Sequence, residues 1–518
     1  MPNEIDRREL LRRAGVGAAG VGVLGIAGCG SGDGGGGSAT VSASNVAATV
    51  AAKPRTPQRF ARKVKKGDVP NLLLVIIDSV RADALGSYGR RNAHTPNLDA
   101  LARESLRFTQ CYPESFPTGP ARATIFGGTR LFPFRNWKKP ADMPGTPGWQ
   151  PVPDENLIST LRRAGYWTGY AVDTPWVMVD SQKPFQRDWD RYVPIKGQTG
   201  TVTADASQIS DAELAKWVAP KILTSSSGQK MRQYLANQLP VRREDDYLPA
   251  RVFTAGMRLL EEGAKSRKPF AIAIDCFDPH EPWDPPKRYL ELHGGSYSRA
   301  WQPGTVLNGT AKANGLSSAD IKAMKALYYA ELTMADRWFG NFMQRLHELD
   351  LERDTVIMFL SDHGFLLGER GYVAKFAWEL HPELIQVPMM LRHPGGRGAR
   401  KKTDFYSQTE DVATTLLAAA GVKRPRWMDG INLMPLLEGK KPKKRRDYVT
   451  GSYSSIVFAR DRNWSYVADS QGGRPELYNL RRDRREVRNL AASNPAQVRK
   501  MYRGMLVRDA RGPLPKFK

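Results

Sequence analysis

The sequence predicts a layered α/β domain with a mainly parallel central sheet, followed by a small C-terminal antiparallel sheet. Three observations carry this expectation. Asn71-Leu-Leu-Leu-Val-Ile-Ile77 and Thr355-Val-Ile-Met-Phe-Leu360 are continuous apolar runs rich in branched residues, as strands buried on both faces should be. Residues 156–164, 323–349 and 411–420 carry helical apolar spacing, so helices alternate with strands as they do over a covered sheet. From about Asp447 the pattern shifts to short strands, YVTGSY, SIVFARD and WSYVAD, before a fourth at 476–480 and a closing helix near 497–506.

The elements follow in order. Asp6-Arg7-Arg8-Glu9-Leu10-Leu11-Arg12 is a twin-arginine pattern, and the Gly/Ala/Val run after it, from Ala14 to Ala27, is too short to span a bilayer, which takes about 20 apolar residues. Ile26-Ala27-Gly28-Cys29 resembles a bacterial lipobox. Residues 1–28 are therefore expected to be an export signal, with Cys29 lipidated and the mature protein held at the outer face of the cytoplasmic membrane. Residues 29–68, Gly/Ser/Ala-rich and then basic, read as a flexible tether. Residues 69–445 are the expected catalytic domain, with the basic stretch 439–446 as linker, and 446–518 the C-terminal subdomain. The long helix 323–349 has the Ala/Leu/Met/Phe spacing of core packing. Residues 182–245, polar and aromatic by turns, are the expected substrate-facing insertion.

The chain carries 78 Lys and Arg against 53 Asp and Glu, a net charge of +25. The densest basic blocks, 55–66, 440–446 and 481–488, lack interleaved aromatics, so no nucleic-acid partner is expected. A basic surface facing anionic lipid or polymer, or one that attracts an anionic substrate, fits better. Of three cysteines, Cys111 and Cys276 remain once Cys29 is lipidated; two buried thiols are expected, a disulfide requiring close Cα atoms.

The strand at 71–77 stops at Asp78, and that at 355–360 runs into Ser361-Asp362-His363-Gly364. Ligands of open α/β sheets bind at the carboxyl ends of strands. Asp78, Asp362 and His363 delivered there make a candidate site for one divalent metal ion of oxygen and imidazole ligands, with calcium, manganese and zinc all fitting. The third piece is Thr118-Gly119-Pro120-Ala121-Arg122, where Pro120 can open a helix whose N-terminus favours negative charge. Thr118 is then either an N-cap or a nucleophile.

These blocks, with HTPNLDALARESLRFTQCY, DPHEPW around His280, SDHGFLLGERGYVAK ending at Lys375, VPMMLRHPG, DVATTLLAAAGV, DGINLMPLLEG and ELYNLRRDRREVRNLA, occur in the order found in the sulfatase family of the alkaline phosphatase superfamily, which the chain resembles from about 69 to 491. The resemblance implies that family's three-layer sandwich and an anionic ester as substrate. It implies Asp78, Asp362, His363 and Thr118 Oγ as metal ligands, with Thr118 also the attacking atom. Arg122 would fork onto the non-bridging oxygens, Lys375 would add a point charge, and His280 would protonate the leaving oxygen. Two positions depart from the pattern. The signature Cys or Ser, oxidised to formylglycine in sulfatases proper, is Thr118, whose Cβ methyl bars that conversion, so no formylglycine is expected. Ser79 stands where many members place a second Asp. His94 and His381 lie in matching blocks without an expected task. A sulfated threonine has no hydroxyl through which to eliminate sulfate, so phosphorus esters (diester, monoester or phosphonate) are favoured. A phosphotransferase with the same site, or an inactive binding protein on this scaffold, are the alternatives.

Overall fold

The computed structural model describes residues 69–517; the expected signal, tether and lipidated Cys29 lie outside the described residues. Its centre is an eight-stranded sheet, which in spatial order runs through residues 402–403, 106–108, 389–392, 355–360, 71–77, 270–276, 167–172 and 191–194. The strand Asn71–Ile77 pairs in parallel with Phe270–Cys276 on one side and Thr355–Leu360 on the other. Met389–Arg392 runs antiparallel to both its neighbours, which makes the sheet mixed but mainly parallel.

Alternation along the first strand explains the layering, because successive side chains leave a strand on opposite faces. Leu73, Val75 and Ile77 enter one core, and Leu72, Leu74 and Ile76 the other. The first core is closed by the helices Pro96–Glu104, Leu248–Lys265 and Ser318–Glu348. The second is closed by Thr118–Gly127, Leu157–Arg163 and Asp411–Ala419. The long helix begins five residues earlier than its apolar spacing suggests, since Ser317 and Asp320 form a reciprocal capping box at its start. Asn156 and Ser159 do the same for Leu157–Arg163. Cys111 and Cys276 are both buried free thiols. Among the described residues no helix is long and apolar enough to cross a membrane.

The expected substrate-facing insertion sends some of its side chains into the core. Trp217, Tyr234 and Leu235 are buried in the first core, and Gln198 reaches in to donate to Asp278 Oδ1 at 2.6 Å.

The C-terminal sheet holds the four expected strands, Val449–Tyr453, Ile456–Arg460, Trp464–Asp469 and Glu476–Asn479, antiparallel in sequence order. It also holds a fifth. Ser115–Phe116, two residues before Thr118, pairs in parallel with Ser452 and Tyr453. The smaller sheet thus takes in a short strand of the larger part, just before the helix that opens at Thr118.

A buried ionic cluster joins them again. Glu486 at φ 54° turns its side chain inward, where one carboxylate oxygen accepts from Arg460 and the other lies 2.7 Å from His381 Nδ1. Burial alone would raise this carboxyl, but Arg460 and then His381 outweigh it and hold it at about 2 against an ordinary 4.5. A depressed carboxylate stabilises the fold above its unfolded pKa, and that stabilisation is lost as pH falls through the folded value. We expect Glu486→Gln to cost on the order of 3 kcal/mol at neutral pH. The gap in melting temperature between parent and variant should close between about pH 4.5 and pH 2. A gap independent of pH would show that the charge contributes nothing.

Candidate active site

Three strands of the sheet deliver acids to one edge. Asp78 and the Asp362-His363 pair arrive as the sequence suggests. The third is Asp275, from Phe270–Cys276, which the sequence reading missed although that strand is also an apolar run ending in an acid. Asp78, Asp275, Asp362, His363 and Arg122 are all fully buried.

Asp78, Asp362 and His363 each offer one ligand atom, and these atoms lie within 4.8 Å of one another; among the described residues this is the one such His/Cys/Asp/Glu group. His363 Nε2 is 3.4 Å from Asp362 Oδ2 and 3.9 Å from Asp78 Oδ1. Its Nδ1, 2.9 Å from the Gly364 carbonyl, has a proton to give there, which leaves the Nε2 lone pair facing the carboxylates. Gly364 is required, since a Cβ there would sit 2.0 Å from the Glu383 carbonyl oxygen.

Ser79 serves the site from a strained left-handed conformation, φ 59°. Its amide donates to Asp362 Oδ1 at 3.0 Å and its hydroxyl to Asp78 Oδ1 at 2.6 Å. Where a second acid would add charge, this side chain adds a donor.

Electrostatics fit a bound cation. Burial, and then the neighbouring Asp362, push the Asp78 carboxyl well above the usual range, against the pull of Arg122. For Asp362, burial is overcome by Arg122 and His363, which hold it low. Asp78 Oδ2 is 3.0 Å from Arg122 Nη1 but out of hydrogen-bond alignment, and has no hydrogen-bond donor. A buried carboxylate oxygen without a donor, facing a second carboxylate and an imidazole lone pair, is the donor set a divalent ion satisfies.

Thr118 is the first residue of its helix, which therefore begins two residues before Pro120. Its hydroxyl caps nothing. Instead Oγ1 lies 3.2 Å from His363 Nε2, at 1% exposure, so it joins the three ligand atoms at the helix N-terminus. Gly119 lets the chain pass beneath Trp149, whose ring would be 2.5 Å from a Cβ. Trp149 itself stacks edge-on against Trp176 at 4.8 Å, an aromatic wall no motif announced.

Arg122 corrects the sequence reading. Its fork does not face an open space for ester oxygens. Nε and Nη2 donate to Asp275 at 3.1 and 2.6 Å, and Nη1 donates to Asp362. The guanidinium lies as a counter-charge among the carboxylates of Asp275, Asp362 and Asp78.

Lys375 and His280 meet each other beside this group. Lys375 is 7% exposed, not a solvent lysine, and follows the strand Tyr372–Ala374. Its Nζ lies 3.2 Å from His280 Nε2 and bonds both carboxylate oxygens of Glu281, at 3.0 and 2.9 Å. His280 Nδ1 is 2.7 Å from the Glu281 carbonyl, and the ring stacks on Phe277 at 3.9 Å. Burial, then Lys375, pull its pKa well below the ordinary value, so the ring is neutral. His280 Nε2 accepts from Lys375 Nζ, with the ring proton on Nδ1 toward the Glu281 carbonyl. His381 belongs to the Glu486 cluster, and His94 packs against His293 at 4.9 Å.

The sulfatase family profile matches residues 70–422, and the profile of the C-terminal region of N-sulphoglucosamine sulphohydrolase matches 368–508. The choline-sulfatase of Rhizobium meliloti is 26% identical over 453 residues, 82% of this chain and 83% of that protein. An arylsulfatase of Clostridium perfringens is 25% identical over 472 residues, 86% of this chain and 95% of that protein. Among solved structures, the phosphonate monoester hydrolase of Agrobacterium radiobacter superposes with a TM-score of 0.63 at 22% identity, covering 85% of this chain and 95% of that one.

Proposed function

The chain belongs to the sulfatase family and is an ester hydrolase of that family, and from this premise we propose that Thr118 is its nucleophile and that phosphorus esters are its preferred substrates. The observation that supports the nucleophile is the Thr118 hydroxyl, 3.2 Å from His363 Nε2 and free of any capping duty. The chemical support for phosphorus is that an ester formed on threonine has no second hydroxyl through which to eliminate.

Asp78, Asp362 and His363 would hold the cation, be it calcium, manganese or zinc, which when bound draws the ester oxygens and acidifies a nearby hydroxyl. Arg122, clamped by Asp275, holds the two carboxylates in register. Thr118 Oγ1, its proton given up to solvent, attacks phosphorus, and the bond from phosphorus to the ester oxygen breaks as that oxygen leaves. Lys375 Nζ supplies the proton for the leaving oxygen, with the neutral His280 as its hydrogen-bond acceptor beforehand. Water then attacks phosphorus, the bond to Thr118 Oγ1 breaks to release the phosphoryl or phosphonyl product, and the water's protons return to Thr118 Oγ1 and Lys375 Nζ. Export and lipid attachment through Cys29 belong to the same reading, supported by the pattern at 1–29.

The test compares matched aryl sulfate, phosphate monoester, phosphodiester and phosphonate ester with the purified full chain, loaded in turn with calcium, manganese or zinc. We expect turnover of a phosphorus ester that chelation abolishes. Acid quenching should trap a peptide spanning Thr118 that has gained one phosphoryl or phosphonyl group. Preferential multiple turnover of the sulfate ester would overturn the choice of phosphorus.

A further inference from the structure

Every cation at the site already has a carboxylate of its own. Arg122 is taken up by Asp275, with its remaining nitrogen on Asp362. Lys375 is taken up by Glu281, whose two oxygens lie 3.0 and 2.9 Å from Nζ, with the two side chains only 8% and 14% exposed. Glu281 is also tied to the neighbouring ring: its carbonyl oxygen is 2.7 Å, and its carboxylate 3.2 Å, from His280 Nδ1. Each of the two imidazoles has its Nδ1 against a backbone carbonyl, so it acts through an Nε2 lone pair and adds no charge. The remaining acids, Asp78 and Asp362, are matched by the two charges of a divalent ion. With these pairs and a divalent ion the named charges sum to neutral before substrate arrives, and Lys375 is a cation that a change in one neighbour, Glu281, would release.

The geometry points to Glu281 as a specificity-determining residue: by neutralising Lys375 it reserves the site for ester groups that carry one negative charge, and turns away those that carry two. The inference rests on the proposed anionic-ester reading and narrows it. Sulfate monoesters, phosphodiesters and phosphonate monoesters carry one charge; phosphate monoesters carry two above about pH 6. A singly charged group places its one charge against the cation and needs no further counter-charge from Lys375, whose Nζ is engaged by Glu281 and His280. A second charge has no uncompensated cation to meet, and lies beside the Glu281 carboxylate in a partly desolvated setting where like charges interact strongly.

The test separates binding from turnover. In a Thr118→Ala background, which removes the proposed attacking group, binding of phenyl sulfate and phenyl phosphate to the metal-loaded full chain is measured by calorimetry at about pH 8, where the phosphate carries two charges. Phenyl sulfate is expected to bind roughly tenfold more tightly or better. Adding Glu281→Gln should tighten phenyl phosphate by roughly tenfold and leave phenyl sulfate within about threefold. Glu281→Asp should restore the parent ratio, and Glu281→Ser, smaller and uncharged, should shift it as Gln does. With Thr118 intact, the same substitutions should move the kcat/KM ratio of phosphate monoester to phosphodiester in the same direction. A ratio unmoved by Gln and Ser, or a parent that prefers the doubly charged ester, overturns the assignment. Should no covalent Thr118 adduct form, the nucleophile reading fails while the binding ratio still decides the role of Glu281.

Discussion

Replacing Thr118 by alanine is expected to lower kcat/KM for the preferred phosphorus ester by a factor of about 10⁴ or more, as loss of an attacking group does in other covalent hydrolases. The fold should survive, because Oγ1 makes one hydrogen-bond-length contact, to His363, and caps no amide. Melting temperature and metal content therefore serve as controls. The more searching variant is Thr118→Cys, which recreates the Cys-x-Pro-x-Arg signature with Pro120 and Arg122 in place. It removes the Cβ methyl that bars oxidation. Produced alongside a formylglycine-generating enzyme, the variant should acquire an aldehyde, detected by mass and by hydrazine labelling. Sulfate ester turnover should then rise by roughly tenfold or more over the parent, since the hydrated aldehyde supplies the hydroxyl for elimination. If the alanine variant keeps its activity, Thr118 is not the nucleophile. If the parent already turns over sulfate as fast as the matured cysteine variant, the methyl group is no barrier and the preference for phosphorus has no chemical basis.

The site was legible in the sequence where local chain direction decides the outcome. A strand buried on both faces can only read as an apolar run, and an acid at its carboxyl end can only emerge at that edge of the sheet, so Asn71–Ile77 and Thr355–Leu360 and their acids fell where expected. Spacing also placed Arg122 one turn along the helix from Thr118. It could not say which way a long, flexible guanidinium points, and the answer came from Asp275, some 150 residues away and not singled out. Glu281 was hidden for the same reason: beside His280 it reads as a loop residue, and its meaning appears only when Lys375 is brought against it. The fifth strand of the small sheet, two residues long, has no period to detect. In each case the missing information is a contact between distant segments.

The Arg122–Asp275 pair gives the largest expected effect on stability. Asp275 accepts from Arg122 Nε and Nη2, from the Tyr170 hydroxyl at 2.8 Å and from Thr174 Oγ1 at 2.9 Å, with neither charged side chain exposed. Asp275→Ala removes one partner of a buried ion pair and leaves two hydroxyls and a guanidinium edge without that acceptor. Such losses cost about 3–5 kcal/mol. We expect a fall of several degrees in melting temperature. A second consequence distinguishes positioning from packing. Without Asp275, Arg122 is free to lean further onto Asp362 and Asp78, where it competes with a cation for the same oxygens. Metal affinity should therefore drop by about tenfold or more, measured by titration well below the melting range. Asp275→Asn keeps the shape and should fall between. The double variant Arg122→Met, Asp275→Leu replaces the pair with apolar groups of similar volume, an exchange that buried ion pairs often tolerate without loss of stability. It should recover much of the melting temperature but little activity, since Asp78 and Asp362 then face each other without their counter-charge. An alanine variant that melts with the parent and binds metal as tightly would mean that Arg122 is held by the two metal-site carboxylates alone, and that Asp275 is an incidental neighbour.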